Sequence, residues 1–444
     1  MLSRAATSAG RSVARAFSTG AGGRVVLVDG VRTPFATSGT TYKDLMAVDL
    51  GRMAVKGLLT RTAFDAADLD HVVYGTVIQE VRTSNIAREV GLAAGIPNSV
   101  PAHTVTMACI SSSQAISSGM ALISSGQADA VLAGGVETMS DVPIRYPKKM
   151  RQRLIEASRY KGLKDVPKFF KGFSPSWLIP EAPAIAEFST GEVMGHSSDR
   201  LAATFGVSRS DQDDFAYRSH QNAHKAHEAG LLAGEIVAFN GSTYDNGIKP
   251  DNPREKLSKL KPAFVKPHGT HTAANSSYLT DGASACLIMS EEAALAKGYT
   301  PLAVLRNSMF VSQDPKDELL LGPAYVAYKL LAKAGLTLKD IDVFEIHEAF
   351  AGQVLANLNA MNSDKFAKEK AGATGALGEV PFEKLNTLGG SLAIGHPFGA
   401  TGTRLVTTAA NRLKREGGKY AFLSACAAGG QGHGMVLEAW EPRK

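Results

Sequence analysis

Cysteine is scarce: Cys109, Cys286 and Cys426 are the only three in 444 residues, and they lie far apart. So thin a set builds neither a disulfide framework nor a cysteine metal cluster, so the thiols are expected to be reduced and open to chemistry. Long apolar runs are missing as well. Gly and Ser interrupt the most hydrophobic stretches well short of the roughly 20 residues that span a bilayer. Nor is there a strong charge excess, since 48 Lys and Arg face 42 Asp and Glu for a net charge of +6. Arg4, Arg11 and Arg15 supply three of those charges, leaving +3 beyond residue 22 and no general case for nucleic acid.

Acidic residues are absent before Asp29. With three Arg and several Ser and Thr, residues 1–22 have the composition of a mitochondrial transit peptide, and Arg15-Ala16-Phe17-Ser18 resembles a matrix-peptidase site. The chain closes on Glu441-Pro442-Arg443-Lys444, which is no peroxisomal tripeptide.

What is present is a globular composition, 44% hydrophobic and 20% charged, in a chain longer than one core usually fills. Short apolar runs such as Val25–Val28 and Val72–Tyr74 alternate with amphipathic stretches, the first near 43–60, which predicts an α/β fold. The segment Asp68-Leu69-Asp70-His71-Val72-Val73-Tyr74-Gly75 resembles Asp340-Ile341-Asp342-Val343-Phe344-Glu345-Ile346-His347, and an order of strand, reactive residue, helix and strand recurs over Thr104 to Gly135 and Leu388 to Cys426. Two similar halves are expected. Between them, residues 145–171 carry ten Lys or Arg against Glu156 and Asp165, followed by Phe169, Phe170, Phe173, Trp177, Leu178 and Ile179. This reads as an insertion with its own character.

Four blocks carry chemistry. Cys109 follows the strand-like run His103–Met107 and precedes Ser111-Ser112-Ser113, with Ile116, Met120 and Ile123 at helical spacing. A thiol at the start of a helix is expected to have its pKa lowered from about 8.5, which suits a nucleophile, although a lone cysteine is as often inert core. The second block, Asn386 to Gly402, sets His396 among glycines that permit close backbone approach, and a single imidazole there can take a thiol proton near neutral pH. It lacks the ending of a phosphate-binding loop. The third places Cys426 after the strand-like Tyr420–Leu423 and before Gly429-Gly430. The fourth is His347-Glu348-Ala349-Phe350-Ala351, also at a strand end, where open α/β sheets gather reacting groups. Cys286 lies in an apolar run and reads as core, and His103, His196 and His433 as structural or exposed.

In this order, and with Gly134–Ser140, Thr272–Ser277 and Asp281-Gly282-Ala283 in support, the blocks resemble the thiolase family over nearly the whole chain. The resemblance implies the thiolase fold: two halves, each a mixed five-stranded sheet flanked by helices, with an inserted loop domain. The expected division is 1–22 transit peptide, 23–139 first half, 140–267 loop domain, 268–296 return strands and 297–444 second half. It implies thiolytic cleavage of 3-ketoacyl-CoA to acetyl-CoA and a shortened acyl-CoA, with coenzyme A as co-substrate, no permanent cofactor and no metal. His396 would activate Cys109, and Cys426 would serve as acid and base. His347 and His396 would face the enolate oxygen, and the backbone amides of Cys109 and Ala428 the acyl-enzyme oxygen. Ser277 and Phe350 would line the CoA and acyl sites.

Two positions depart from the common pattern. His347 stands where most thiolases have Asn, which leaves its tautomer open. Ala428 stands where glycine is usual and would be strained if its φ were positive. With the basic insertion, His347 resembles the trifunctional branch of the family, long-chain enzymes of the matrix side of the inner mitochondrial membrane that pair with an α subunit carrying hydratase and dehydrogenase activities. That implies a homodimeric core, this hetero-oligomer, and contact of residues 145–179 with anionic lipid. A short-chain acetoacetyl-CoA thiolase is the alternative within the family; a 3-ketoacyl synthase, which lacks a second catalytic cysteine, and a non-catalytic lipid-binding scaffold subunit are the alternatives outside it.

Overall fold

The computed structural model describes residues 23–442, so the expected transit peptide lies outside the described residues. Its strands are β1 (Val25–Arg32), β2 (Ala36–Thr37), β3 (His71–Gly75), β4 (Ala102–Val105), β5 (Ala130–Glu137), β6 (Thr280–Ser290), β7 (Ala303–Ser312), β8 (Val343–Ile346), β9 (Tyr420–Ala427) and β10 (Gln431–Ala439). Nine of them form one hydrogen-bonded path in the order β4-β3-β5-β6-β1-β7-β10-β9-β8, and β2 pairs with β6 beside it.

The path contains two mixed sheets joined by a short seam. In the first, β3 runs parallel to β4 and β5, while β6 is antiparallel to β5 and β1. In the second, β8 is parallel to β9, and β10 is antiparallel to β9 and β7. Val26 with Val304 and Leu27 with Ala303 are the strand pairs that join the two sheets. The second sheet has four strands, and its fifth place is held by Leu385, which bridges Phe344 in parallel. Asn386 explains the shortening. Its φ of 45° ends the extended run, and its side-chain amide pairs with the Ile346 N–H and carbonyl at 2.9 and 2.8 Å, as a strand would.

Alternation along each strand sorts the core into layers. Val26, Val72 and Leu132 face the helices Ala47–Thr62 and Ile86–Ala94 through Leu50, Leu58, Ile86 and Val90. Their neighbours Leu27, Val73 and Val131 face inward, with Leu423 and Met435 of the second sheet, onto Ile116 and Ile123 of the helix Ser111–Ser124 and Leu405 and Ala409 of the helix Thr401–Glu416. Phe344, Phe422 and Val436 face the opposite outer layer, the helices Gly322–Ala334 and Ala351–Met361. Two central helices therefore lie between two sheets, each backed by outer helices.

The repeat read from Asp68–Gly75 and Asp340–His347 is structural. A 3-10 turn precedes both β3 and β8. Asp70 then accepts the amides of Asp129 and Ala130, as Asp342 accepts those of Lys419 and Tyr420. These matched carboxylates fix the register of the parallel pairs β3–β5 and β8–β9.

Between β5 and β6 the chain adds no strand to the sheets. Helices Lys148–Ala157, Val166–Phe170, Met194–Thr204 and Arg209–Glu228 lie there. Its basic part is locally organised: Arg153 donates to the Lys168 and Lys171 carbonyls and sits over Trp177, which is edge-to-face with Phe173. Leu163, Phe170, Leu178, Ile179, Ile185 and Phe188 are exposed on this segment. Among the described residues, no helix is long and apolar enough to cross a membrane.

Candidate active site

The two central helices meet at their N-terminal ends. Ser112 Oγ accepts the Thr403 amide at 3.0 Å, and Gly402 lies so close to Ser113 that any side chain at 402 would overlap it. Cys109 ends the loop before the first helix, and His396-Pro397-Phe398 the loop before the second, so this junction draws thiol and imidazole to one place. The second loop is seated on β5. Gly399 N–H donates to Glu137 at 2.9 Å, and a Cβ at Gly135 would overlap the Gly399 carbonyl. Only glycine permits this approach.

Ala108, at φ 45°, turns the chain sharply between β4 and the helix and presents Cys109 at the bend. The Ala428 amide and its own lie near its sulfur and favour the thiolate. These are the two amides expected to hold the acyl-enzyme oxygen. The strain feared at Ala428 does not arise, since the positive φ values of that turn fall on Gly429 and Gly430. Cys426, buried near the end of β9 opposite Gly432, couples electrostatically to Cys109.

The expected lowering of the Cys109 pKa is not found. Burial pushes the thiol up to about 12, aided by the Glu137 charge and only partly offset by the two amides. The side chain retains some exposed surface, but its sulfur lies deep enough for desolvation to outweigh the helix dipole. Burial raises Cys426 further, and Cys109 as a neighbouring anion adds to the rise, so one thiolate disfavours the other. Burial together with the Arg404 charge pulls His396 down to about 3. Both shifts favour the neutral forms, a thiol and an imidazole, over a preformed ion pair.

His347 follows β8 and lies 4.0 Å from His396, ring centre to ring centre. Both Nε2 atoms are buried with no protein partner, whereas both Nδ1 atoms are engaged: His396 with Thr401 Oγ1 at 2.7 Å, His347 with Ser391 Oγ at 3.0 Å. Thr401 spends its hydrogen on the Pro397 carbonyl at 3.0 Å, so it accepts from His396 Nδ1–H. That leaves His396 Nε2 as a lone pair, the form a general base requires.

Ser277 and Phe350 are brought together, as the Ser277 amide donates to the Ala349 carbonyl and Ser276 bridges Phe350. Phe350 packs edge-on against Phe264 and His271. Cys286 is fully buried in β6, away from this cluster, and His433 is buried against Ser308 and Phe310. His103 pairs with His71 at the sheet edge and His196 with the Phe264 carbonyl.

Sequence reading passed over several residues here. Ser391, Thr401 and Arg404 support the histidines, and Glu187 reaches from the inserted segment to accept the Gly429 amide at 3.0 Å. A Ser198, His271 and Asp199 relay also exists, at 2.9 and 2.8 Å, but Ser198 and His271 have no exposed surface, and Asp199 also holds the Thr270 and His271 amides. It braces the segment that faces Phe350. No group of three or more His, Cys, Asp or Glu among the described residues could hold a metal.

Two family profiles match the chain, the thiolase N-terminal domain over residues 25–292 and the thiolase C-terminal domain over 299–439. The chain belongs to the thiolase family. This thiolase is 58% identical over 421 residues to the mitochondrial trifunctional enzyme subunit beta of Bos taurus, covering 94% of this chain and 88% of that protein. It is 59% identical over 421 residues to a probable 3-ketoacyl-CoA thiolase of Caenorhabditis elegans, with 94% of each covered. A crystal structure of human mitochondrial 3-ketoacyl-CoA thiolase in complex with CoA superposes with a TM-score of 0.81 at 31% identity, over 94% of this chain and 98% of that one. The thiolase is thus an acyltransferase by family.

Proposed function

We propose that the protein is a 3-ketoacyl-CoA thiolase that cleaves long-chain substrates, with Cys109 as nucleophile, His396 as its base, Cys426 as the second acid and base, and His347 as an oxyanion donor. The convergence of two thiols and two neutral imidazoles at the junction of the central helices carries this reading. As Cys109 attacks the 3-keto carbon, its proton passes to His396 Nε2. The bond between C2 and C3 breaks, and the acetyl-CoA enolate leaves with its negative oxygen facing Nε2–H of His396 and His347. Cys426 protonates that enolate, then takes the proton of an incoming CoA thiol. CoA attacks the acyl group on Cys109, whose oxygen is held by the Cys109 and Ala428 amides; Cys109 departs and recovers its proton from His396. Each oxyanion donor in such sites contributes about 3 kcal/mol. The mutual disfavour of the two thiolates suits this order, since each is an anion only while the other is protonated or acylated.

Ser277 and Phe350 fit the CoA and acyl sites, with CoA bound only as co-substrate, and residues 140–267 form the loop domain over them. The names of the relatives support a mitochondrial protein that pairs with a trifunctional α subunit; a homodimeric core is part of the same proposal. The exposed apolar residues beside ten basic ones at 145–171 support contact with anionic lipid on the matrix side of the inner membrane. The test is CoA-dependent cleavage by the mature chain of 3-ketohexadecanoyl-CoA against acetoacetyl-CoA. A strong preference for the long substrate, with Cys109→Ala and Cys426→Ala inactive, is expected. Preference for acetoacetyl-CoA makes it a short-chain enzyme, and cleavage by Cys109→Ala defeats the mechanism.

A further inference from the structure

The geometry points to Ser391 as a positioning residue that fixes His347 in the tautomer with its proton on Nε2, so that this histidine can only donate to the reacting oxygen while His396 alone acts as base. The inference rests on the catalytic reading above and deepens it.

Ser391 opens the short helix Ser391–Ile394 and is fully buried. Its hydroxyl has two partners among the described residues, Arg404 at 3.2 Å and His347 Nδ1 at 3.0 Å. A guanidinium only donates, so Ser391 Oγ accepts from Arg404. Its one hydrogen then has a single acceptor in reach, the Nδ1 lone pair of His347. With Nδ1 bare, the proton of the neutral ring sits on Nε2, the buried nitrogen that no protein atom satisfies. The reverse arrangement would leave the serine hydrogen without an acceptor in a dry interior, at a cost that buried polar groups ordinarily avoid.

Arg404 is itself fixed. Glu345 accepts from it at 3.4 Å and from Arg412 at 2.9 Å, and all three side chains are fully buried. The guanidinium therefore cannot turn to release Ser391, and its charge behind His347 disfavours a second proton on the ring. At His396 the opposite relay operates, since Thr401 gives its hydrogen to a carbonyl and must accept. Two imidazoles 4.0 Å apart are thereby set as one base and one donor. Were both bare at Nε2, the developing oxyanion would meet a lone pair.

The test combines nitrogen NMR of histidine-labelled protein, with His347 assigned through His347→Gln, and cleavage kinetics of Ser391→Ala and Ser391→Thr. In the parent, His347 is expected to show a bare Nδ1 and a protonated Nε2. Ser391→Ala is expected to mix the tautomers and lower kcat about tenfold to a hundredfold, approaching the loss of one oxyanion donor, while KM stays within about twofold. Ser391→Thr keeps the hydroxyl and is expected to restore both the tautomer and most of kcat. A protonated Nδ1 at His347 in the parent overturns the inference, as does a Ser391→Ala enzyme with parental kcat or with an unchanged tautomer. Cleavage that survives Cys109→Ala defeats the catalytic reading instead, so the two failures are told apart.

Discussion

His396 is held in the structure with one committed nitrogen. Thr401 accepts from Nδ1–H and passes its own hydrogen to the Pro397 carbonyl, which leaves Nε2 bare. Thr401→Val keeps the shape and removes the acceptor. The ring then buries an unsatisfied Nδ1–H or moves its proton to Nε2, where it cannot take one from Cys109. We expect kcat to fall by about a hundredfold or more, within the 10²–10⁴ that general-base catalysis supplies, with the folded state retained in circular dichroism. Parental kcat in Thr401→Val would remove the tautomer argument. Cys109, His396, Cys426 and His347 were legible as candidates, because each sits beside a glycine run or a strand end. Ser391 and Thr401 were not, since a buried Ser or Thr among glycines looks like any loop residue until its hydroxyl's partner is known. The pKa of Cys109 was misread for a related reason: the helix start is visible in sequence, but the depth of the sulfur is not.

The helix Thr401–Glu416 shows the same limit at the next scale. Its Thr, Arg and Asn suggest a solvated face, yet Thr401, Thr403, Arg404, Thr407, Thr408 and Arg412 are all buried, because the helix runs between two sheets and meets solvent mainly at its last turn, Lys414 to Glu416. Their charge is met inside: Glu345 by Arg404 and Arg412, Glu235 by Arg32 and Thr408. The halves and their order were legible because strand periodicity and the paired Asp70 and Asp342 motifs are local. The missing fifth strand was not, since Asn386 replaces backbone pairing with a side chain. Glu345→Gln leaves the buried Arg404 guanidinium without a carboxylate in contact and Arg412 with Glu416 alone. Breaking such a pair costs about 3–5 kcal/mol, so urea denaturation of the variant is expected to show that loss or no folded protein at all. A midpoint within experimental error of the parent would mean that Arg404 and Arg412 are compensated elsewhere.

For the whole molecule, the buried imidazoles make acid the weak direction. Burial holds His220 down to about 4 and His396 and His433 to about 3, and it lowers His347 strongly as well. In the unfolded chain each takes a proton near pH 6.5, whereas the folded protein does not until far lower pH. The unfolded state therefore binds more protons throughout this window, and stability falls as pH drops from about 6.5 toward 4, by about 1.4 kcal/mol per pH unit for each histidine. Glu137 works the other way. Burial raises it to about 8 against three amide donors and raises Glu345 and Glu348 as well, so these carboxylates favour the folded state increasingly as pH falls toward 4.5, but they are three groups against six lowered histidines, His71 and His103 included. Thermal unfolding followed at pH 7.5, 6.5, 5.5 and 4.5 should show a midpoint that drops progressively faster below 6.5. His433 lies outside the proposed chemistry, bonded only to Ser308, so His433→Gln should flatten that drop by about one histidine's share. A midpoint that holds level down to pH 5 would mean that these rings carry charge inside the folded protein, and with it the neutral thiol and imidazole pair at Cys109 and His396 would have to be given up.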